Sequence, residues 1–248
     1  MDEHIYYSRP VATAAKLGDL ATDRHRFVHK RVLVTGESTV LATNNGRECL
    51  LSSLRLLIRI CPNVSVALPV DRAELVDECH QALDPLTFGR ALEYLTSIDG
   101  ATDYDAVLSI GTAARPELPW TVINSNGWLA RVSSGPTSLS SDCEQDNPIG
   151  ALAAASLGVA DVFKRLIRLR PIRGKLLDGL SFSLYTYQSG ETDPGPPLWP
   201  ALTLRGDLLI VGAGAIGNGV LYLLSKLPLT GRAWIVDAQD FGPENYGT

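Results

Sequence analysis

The 248 residues include 22 Lys or Arg and 27 Asp or Glu, for a net charge of −5 and a pI near 5.4. That balance excludes general nucleic-acid or membrane-surface binding unless positive charge is concentrated locally. Hydrophobic residues make up 45% and charged residues 20% of the chain, the proportions of a soluble globular protein with a substantial core.

The opening stretch MDEHIYYSRPVATAAKLG begins on acids and lacks the apolar core of a signal peptide. No apolar run approaches the roughly 20 residues of a membrane span. RVLVTG at 31–36 is a β-branched run ending at a glycine and predicts a buried strand. ESTVLATNNG at 37–46 reads as a loop, with Asn44, Asn45 and Gly46 as its turn. RECLLSSLRLLIRI at 47–60 is helical, because Leu50, Leu51, Leu54, Leu57 and Ile58 share one face while Arg47, Arg55 and Arg59 fall largely on the other. Pro62 ends it, and VSVAL at 64–68 is the next strand, completing a βαβ unit with a parallel strand pair.

Helices are expected over 73–82 and 85–97, and DAVLSIG at 105–111 is a further buried strand. WTVINSNGWLARVSSG at 120–135 predicts a hairpin turning at Asn126-Gly127. NPIGALAAASLGVADVFKRLIRL at 147–169 predicts a helix with Pro148 in its first turn, and its small residues Ala151, Ala153, Ala154, Ala155 and Gly158 permit close packing. KRLIRLRPIRGK at 164–175 holds six basic residues and no acid. It suits a helix C-terminus and a solvated turn, or else a contact for phosphate or an acidic partner. SFSLYTYQ at 181–188 alternates as a strand. SGETDPGPPLWP at 189–200, with four prolines and two glycines, excludes regular structure and marks a linker.

Cys49, Cys61, Cys79 and Cys143 form no CxxC pair, so a zinc knuckle is not supported. Their wide spacing points to reduced thiols in a cytoplasmic protein. Cys49 and Cys61 sit among apolar residues, and Cys143, in a polar loop, is expected to be exposed. His4, His25, His29 and His80 have no metal-ligand spacing. Neither a catalytic residue nor a metal ligand is assigned within these residues.

The sharpest signal is LLIVGAGAIG at 208–217, a strand running into a glycine loop, followed by the helical NGVLYLLSKL and the strand AWIV. Gly212, Gly214 and Gly217 form a full GxGxxG. Gly212 allows the tight turn, Gly214 with the neighbouring Ala215 lets a phosphate approach the backbone, and Gly217 lets helix pack on strand. The helix N-terminus offers N–H groups and partial positive charge to phosphates. Asp237 ends the second strand twenty positions after Gly217, where a carboxylate can accept bonds from a ribose. Arg31 and Leu208 thus begin two βαβ openings, a weak internal repeat in which only the second keeps its glycines.

The segment VDAQDFGPENYGT resembles the ThiF/MoeB/HesA family of adenylating enzymes, relatives of ubiquitin-activating enzymes. The resemblance implies that Asp237 binds ribose and that Asn245 belongs to the ATP site; Thr248 stands where the family has an arginine. Residues 31–185 are similar to a whole domain of this kind that has lost its nucleotide loop, keeping only Gly36. DAVLSIG is similar to the family's central strand, but Ser109 and Thr112 lie there and no magnesium-binding acid follows.

The resemblance implies a reaction in which a carboxylate attacks the α-phosphate of ATP with Mg²⁺, giving an acyl-adenylate and pyrophosphate. The acceptor would be the C-terminal carboxylate of a ubiquitin-like protein or peptide, and a homodimer or a second adenylation domain would complete the assembly. The expected fold is α/β, Rossmann-like, with a mainly parallel sheet, helices on both faces and the opening βαβ unit of a second Rossmann-like domain. The expected organisation is an inactive adenylation-type domain at 1–188, a linker at 189–205 and a truncated nucleotide-binding unit at 206–248, catalytically incomplete alone. An NAD-dependent oxidoreductase and a non-catalytic scaffold with a vestigial nucleotide loop are the alternatives.

Overall fold

The computed structural model describes residues 7–18, 27–87, 92–98 and 101–238. The chain begins with helix α1 (Ser8–Leu17) and strand β1 (Arg31–Gly36). A four-residue helix α2 (Ser38–Leu41) and the long α3 (Asn44–Ile60) lead to β2 (Asn63–Ala67). Next come α4 (Glu74–Thr87), β3 (Glu93–Leu95), β4 (Ala106–Ile110), β5 (Trp120–Asn126), β6 (Leu129–Ser133), α5 (Pro148–Leu166) and β7 (Leu180–Ser183).

These strands make one seven-stranded sheet in the order β3-β2-β1-β4-β5-β6-β7. β1 to β5 run parallel, while β6 and β7 join antiparallel. The fold is α/β and Rossmann-like. Every residue of β4, β5 and β6 is buried, as expected of strands covered on both faces. Alternation along β1 sorts the two layers. Val32 and Val34 join the large core beneath α3, α4 and α5, and Leu33 points into a smaller cluster with Val107, Trp120, Val122, Ala101 and Tyr104.

Right-handed crossovers explain this asymmetry. The chain moves from β1 to β2 to β3 through α3 and α4 on one face. It then reverses past β1 to β4 and β5, so those connections fall on the opposite face. There, among the described residues, the 3₁₀ turn Ala101–Asp103 and the loop residues Leu118 and Leu139 cover the sheet. α5 returns to the first face beside α3. Its small residues matter: a Cβ on Gly158 would stand 2.5 Å from Ile123 Cγ2.

Several local expectations are revised. Asn44, Asn45 and Gly46 form the first turn of α3, not a loop. Thr43 caps that helix, its hydroxyl accepting from Gly46 N at 3.0 Å. Gly46 is needed there because a Cβ would lie 2.0 Å from Val40 O. Of the helix expected over 85–97, residues 88–91 lie outside the described residues; 85–87 end α4, and 93–95 form β3, whose Glu93 side chain accepts a hydrogen bond from Ser65 on β2. The hairpin forms, but its two turn residues are Gly127 and Trp128, with Asn126 paired to Leu129 and Gly127 at φ +55. Asn147, rather than serving as the first helical residue, caps α5 by accepting from Ile149 N at 2.9 Å. Strand β7 ends at Ser183.

Residues 189–200 hold no helix or strand, yet are tied down. Trp128 donates from N to Pro194 O and from its indole to Pro196 O, both at 2.8 Å. Beyond them, β8 (Leu202–Thr203) pairs parallel with β10 (Leu229–Thr230). β9 (Leu208–Val211), helix α6 (Ala215–Ser225) and β11 (Ala233–Val236) form a second βαβ opening with a parallel strand pair. Among the described residues, no helix is long and apolar enough to cross a membrane.

Candidate nucleotide site

The two βαβ openings differ at the bend after their first strand. In the first, Gly36 is followed by Glu37, whose backbone N–H donates to Ile110 O at 2.8 Å. The Glu37 carboxylate reaches across to the end of β4. It accepts from Thr112 N at 2.8 Å, Ala113 N at 2.9 Å and the Thr112 hydroxyl at 3.0 Å. Buried Leu41 closes in below, so that a Cβ on Gly36 would meet its Cδ1 at 2.8 Å. β1 and β4 are the strands between which the sheet order reverses, and ligands of such sheets bind in that crevice. Here the crevice holds an internal anion on backbone donors. Sequence reading finds no acid after DAVLSIG. The acid at this place comes from the other strand, and a glutamate directly after a strand-ending glycine was the signal.

The second opening is built differently. β9 and β11 pair in register, with Val211 opposite Val236, so the glycine loop and Asp237 emerge side by side at the same end of the pair. Gly212 has φ +94, a conformation that favours glycine, and its N–H donates to Val236 O at 2.7 Å. Gly217 sits against the loop, where an added Cβ would lie 1.9 Å from Gly212 O. Gly214 caps α6 in an extended conformation, and a Cβ at Gly212 or Gly214 would meet nothing within 4 Å. Ala215 is the first residue of α6, which leaves its first-turn N–H groups without intrahelical acceptors. An Asp237 carboxylate oxygen accepts from Ala213 N at 2.5 Å, and a carboxylate can accept further bonds. The structure therefore gathers Gly212, Gly214, Ala215, Gly217 and Asp237. Asn245 and Thr248 lie outside the described residues.

Several of the remaining candidates have structural partners, while Arg168, Arg173 and Lys175 of the basic run are exposed. In the basic run, Lys164 pairs with fully buried Asp161 at 2.7 Å, Arg165 donates to Trp120 O and Ser134 O, and Arg170 donates to Gly18 O. Burial lowers the Arg165 guanidinium from its usual range. Cys143 is buried, contrary to expectation, because the loop after β6 folds over Arg131, whose guanidinium donates to Asp142 O. Burial raises its thiol, partly offset by the Arg131 charge. All four cysteines are unpaired, and burial pushes the thiols of Cys49, Cys61 and Cys79 up to about 12, which disfavours the thiolate a nucleophile needs. Among the described residues, no group of three or more His, Cys, Asp or Glu is placed to hold a metal ion.

Residues 31–176, from β1 to just beyond α5, match the family model of the BilD N-terminal domain. The chain belongs to this family. It is also 30% identical over 231 residues to the uncharacterized protein y4jF of Sinorhizobium fredii (strain NBRC 101917 / NGR234). That similarity covers 92% of this chain but 42% of the relative, so the chain spans less than half the length of the protein it resembles. The BilD N-terminal match takes in the Glu37-filled crevice and stops short of the glycine loop.

Proposed function

We propose that this chain is the N-terminal portion of a ThiF-like, ATP-dependent adenylating enzyme, acting on the C-terminal carboxylate of a ubiquitin-like protein or peptide. The glycine loop carries the reading. Gly217 is locked against Gly212 while Gly212 and Gly214 face open space, a cradle that a Cβ would fill, beside the Asp237 carboxylate. The loop and the start of α6 hold phosphate oxygens through backbone N–H groups. Asp237 accepts from the ribose. The acceptor carboxylate oxygen then bonds to the α-phosphorus as the bond to the β-phosphate bridge breaks, releasing pyrophosphate. Mg²⁺ supplies charge neutralisation on the phosphates when bound. The front sheet, its own crevice filled by Glu37, serves as the non-nucleotide partner of the second unit. The division at 1–188, 189–205 and 206–248 belongs to this proposal, as does the role of Asn245. Four unpaired cysteines support a reducing, cytoplasmic setting.

Calorimetry on the full-length protein tests this. ATP binds with Mg²⁺, and Gly214→Val or Asp237→Ala abolishes binding. Residues 1–248 alone bind ATP weakly or not at all, since a helix end contributes only about half a charge against a triphosphate. Tight NAD binding with none of ATP would replace the adenylating reading by a dehydrogenase, and binding of neither would leave a scaffold.

A further inference from the structure

The two openings touch through their matching helices. α3 follows β1, and α6 follows β9. Glu48, Ser52 and Arg55 lie on one stripe of α3, while Tyr222 and Lys226 lie one turn apart at the tail of α6. Lys226 Nζ donates to Glu48 Oε2 at 2.7 Å. The Tyr222 hydroxyl donates to Glu48 Oε1 at 3.2 Å and accepts from Arg55 Nη1 at 2.7 Å. Ser52 donates to the same Glu48 oxygen at 2.6 Å. The Arg55 guanidinium and the Lys226 ammonium each lie 5.1 Å from the Tyr222 ring centroid. The Glu48 side chain is only 13% exposed, so these charges are partly desolvated and their pairing is worth more than that of a surface pair.

The other end of α6 is bare, with Ile216 85% exposed. The helix is held at its tail, while its N-terminus, which carries the glycine loop, stands clear. An 11-residue helix is about 16 Å long, so a 10–20° tilt about the tail moves the loop by roughly 3–6 Å. That exceeds the tolerance of a phosphate site.

We infer that the polar stripe of α3 is the docking surface that positions the glycine loop, with Glu48 and Arg55 as positioning residues of the front sheet and Tyr222 and Lys226 as their counterparts. This rests on the nucleotide reading for its consequence, since loop position sets ATP affinity, but not for the docking itself. Among the described residues, the side chains that bond to the second unit come from α3.

The test uses the full-length protein with Glu48→Lys, Lys226→Glu and the two combined. Hydrogen exchange at 221–226 reads docking, and calorimetry with Mg·ATP reads loop position. Each single variant raises exchange and weakens ATP binding by about tenfold, the loss of a partly buried charged hydrogen bond, and the charge swap restores both. Single variants that leave exchange within about twofold of wild type, or a swap that restores nothing, would overturn the docking surface. Exchange that responds while ATP affinity stays constant would overturn the positioning role. Exchange that responds and is rescued, in a protein that binds no ATP at all, would uphold the docking surface and sink the nucleotide reading.

Discussion

Replacing Glu37 by alanine removes the anion that holds the end of β4. Two backbone donors and one hydroxyl lose their acceptor, at 2.8, 2.9 and 3.0 Å. Hydrogen bonds to a charged acceptor contribute about 1.5–3 kcal/mol each, yet the three do not sum, because Glu37 is only half-buried and water reaches Ala113. A net loss of about 2–3 kcal/mol is the reasoned figure, or roughly 4–12 °C in melting temperature for a unit of this size. Glu37→Gln keeps one carbonyl acceptor and should lose about half as much. Trp120 is a convenient reporter, being buried, with its indole donating to Ala113 O at 3.1 Å. Urea unfolding followed by its emission gives the free energies. Gly111 supplies an internal control, since a Cβ there would lie 2.6 Å from Glu37 Cδ. Gly111→Ala should destabilise the wild type but cost much less beside Glu37→Ala, a coupling of neighbours. A Glu37→Ala protein that melts within about 1 °C of wild type, or strict additivity with Gly111→Ala, would refute the internal-anion account.

Asp161 is fully buried and accepts from Lys164 Nζ, the Ser134 hydroxyl and Leu177 N, so Asp161→Ala should cost about 3–5 kcal/mol in urea unfolding. Gly158→Ala gains helix propensity of about 1 kcal/mol, but its Cβ collides with Ile123 and Leu108, so the net effect should be destabilising, by about 1–2 kcal/mol. For Cys49, Cys61 and Cys79 the thiol rises from 9.0 to about 12 on folding. Above about pH 9 the unfolded chain sheds these protons while the folded chain keeps them, so stability is fully present below about pH 9 and falls as pH climbs towards 12. Cys49→Ala should show a shallower fall over that range in pH-dependent denaturation. At the loop, Gly217→Ala should disturb helix α6 itself, visible by hydrogen exchange, because its Cβ meets Gly212 O. Gly214→Ala should leave exchange unchanged.

The strands of the sheet were legible because burial on both faces leaves continuous apolar runs, as in AVLSI of β4, and these carry their meaning locally. The glycine loop was legible for the opposite reason, since Gly212 is required by backbone sign and Gly217 by close approach rather than by packing. What failed were short elements whose identity is tertiary. Asn44, Asn45 and Gly46 look like a turn, and only the Thr43 cap and the approach of Gly46 to Val40 O turn them into a helix. β3 is three residues long and exists by pairing with β2. Cys143 sits in a polar sequence, and nothing local announces that its loop folds onto Arg131. Glu37 and Glu48 were invisible as functional residues because their partners, Thr112 and Lys226, are distant in sequence and meet them only through topology.

The second βαβ opening raises a question of stability. Trp234 and Ile235 are neighbours on β11 and therefore point to opposite faces, yet they are 54% and 52% exposed, and Val211 on β9 is 77% exposed. Among the described residues Leu208 and Ile210 are half-buried, yet neither face of this parallel pair is fully covered, whereas parallel sheets persist only when both are. Full burial of each such side chain would contribute about 1.5–3 kcal/mol, so more than half of what Val211, Trp234 and Ile235 offer is unrealised among the described residues. The latch of α6 on α3 anchors the tail of the helix. In residues 1–248, the amides of β9 and β11 should therefore exchange with little protection while those of β1, β4 and β5 are strongly protected. In a chain extended towards the length of its relative, the same amides should become protected, and nucleotide affinity should rise with them, because a loop suspended between frayed strands cannot hold its N–H groups in place. Equal protection of β9 and β4 in residues 1–248 would show that the pair is stable as it stands, and would remove the reason for expecting a partner layer over it.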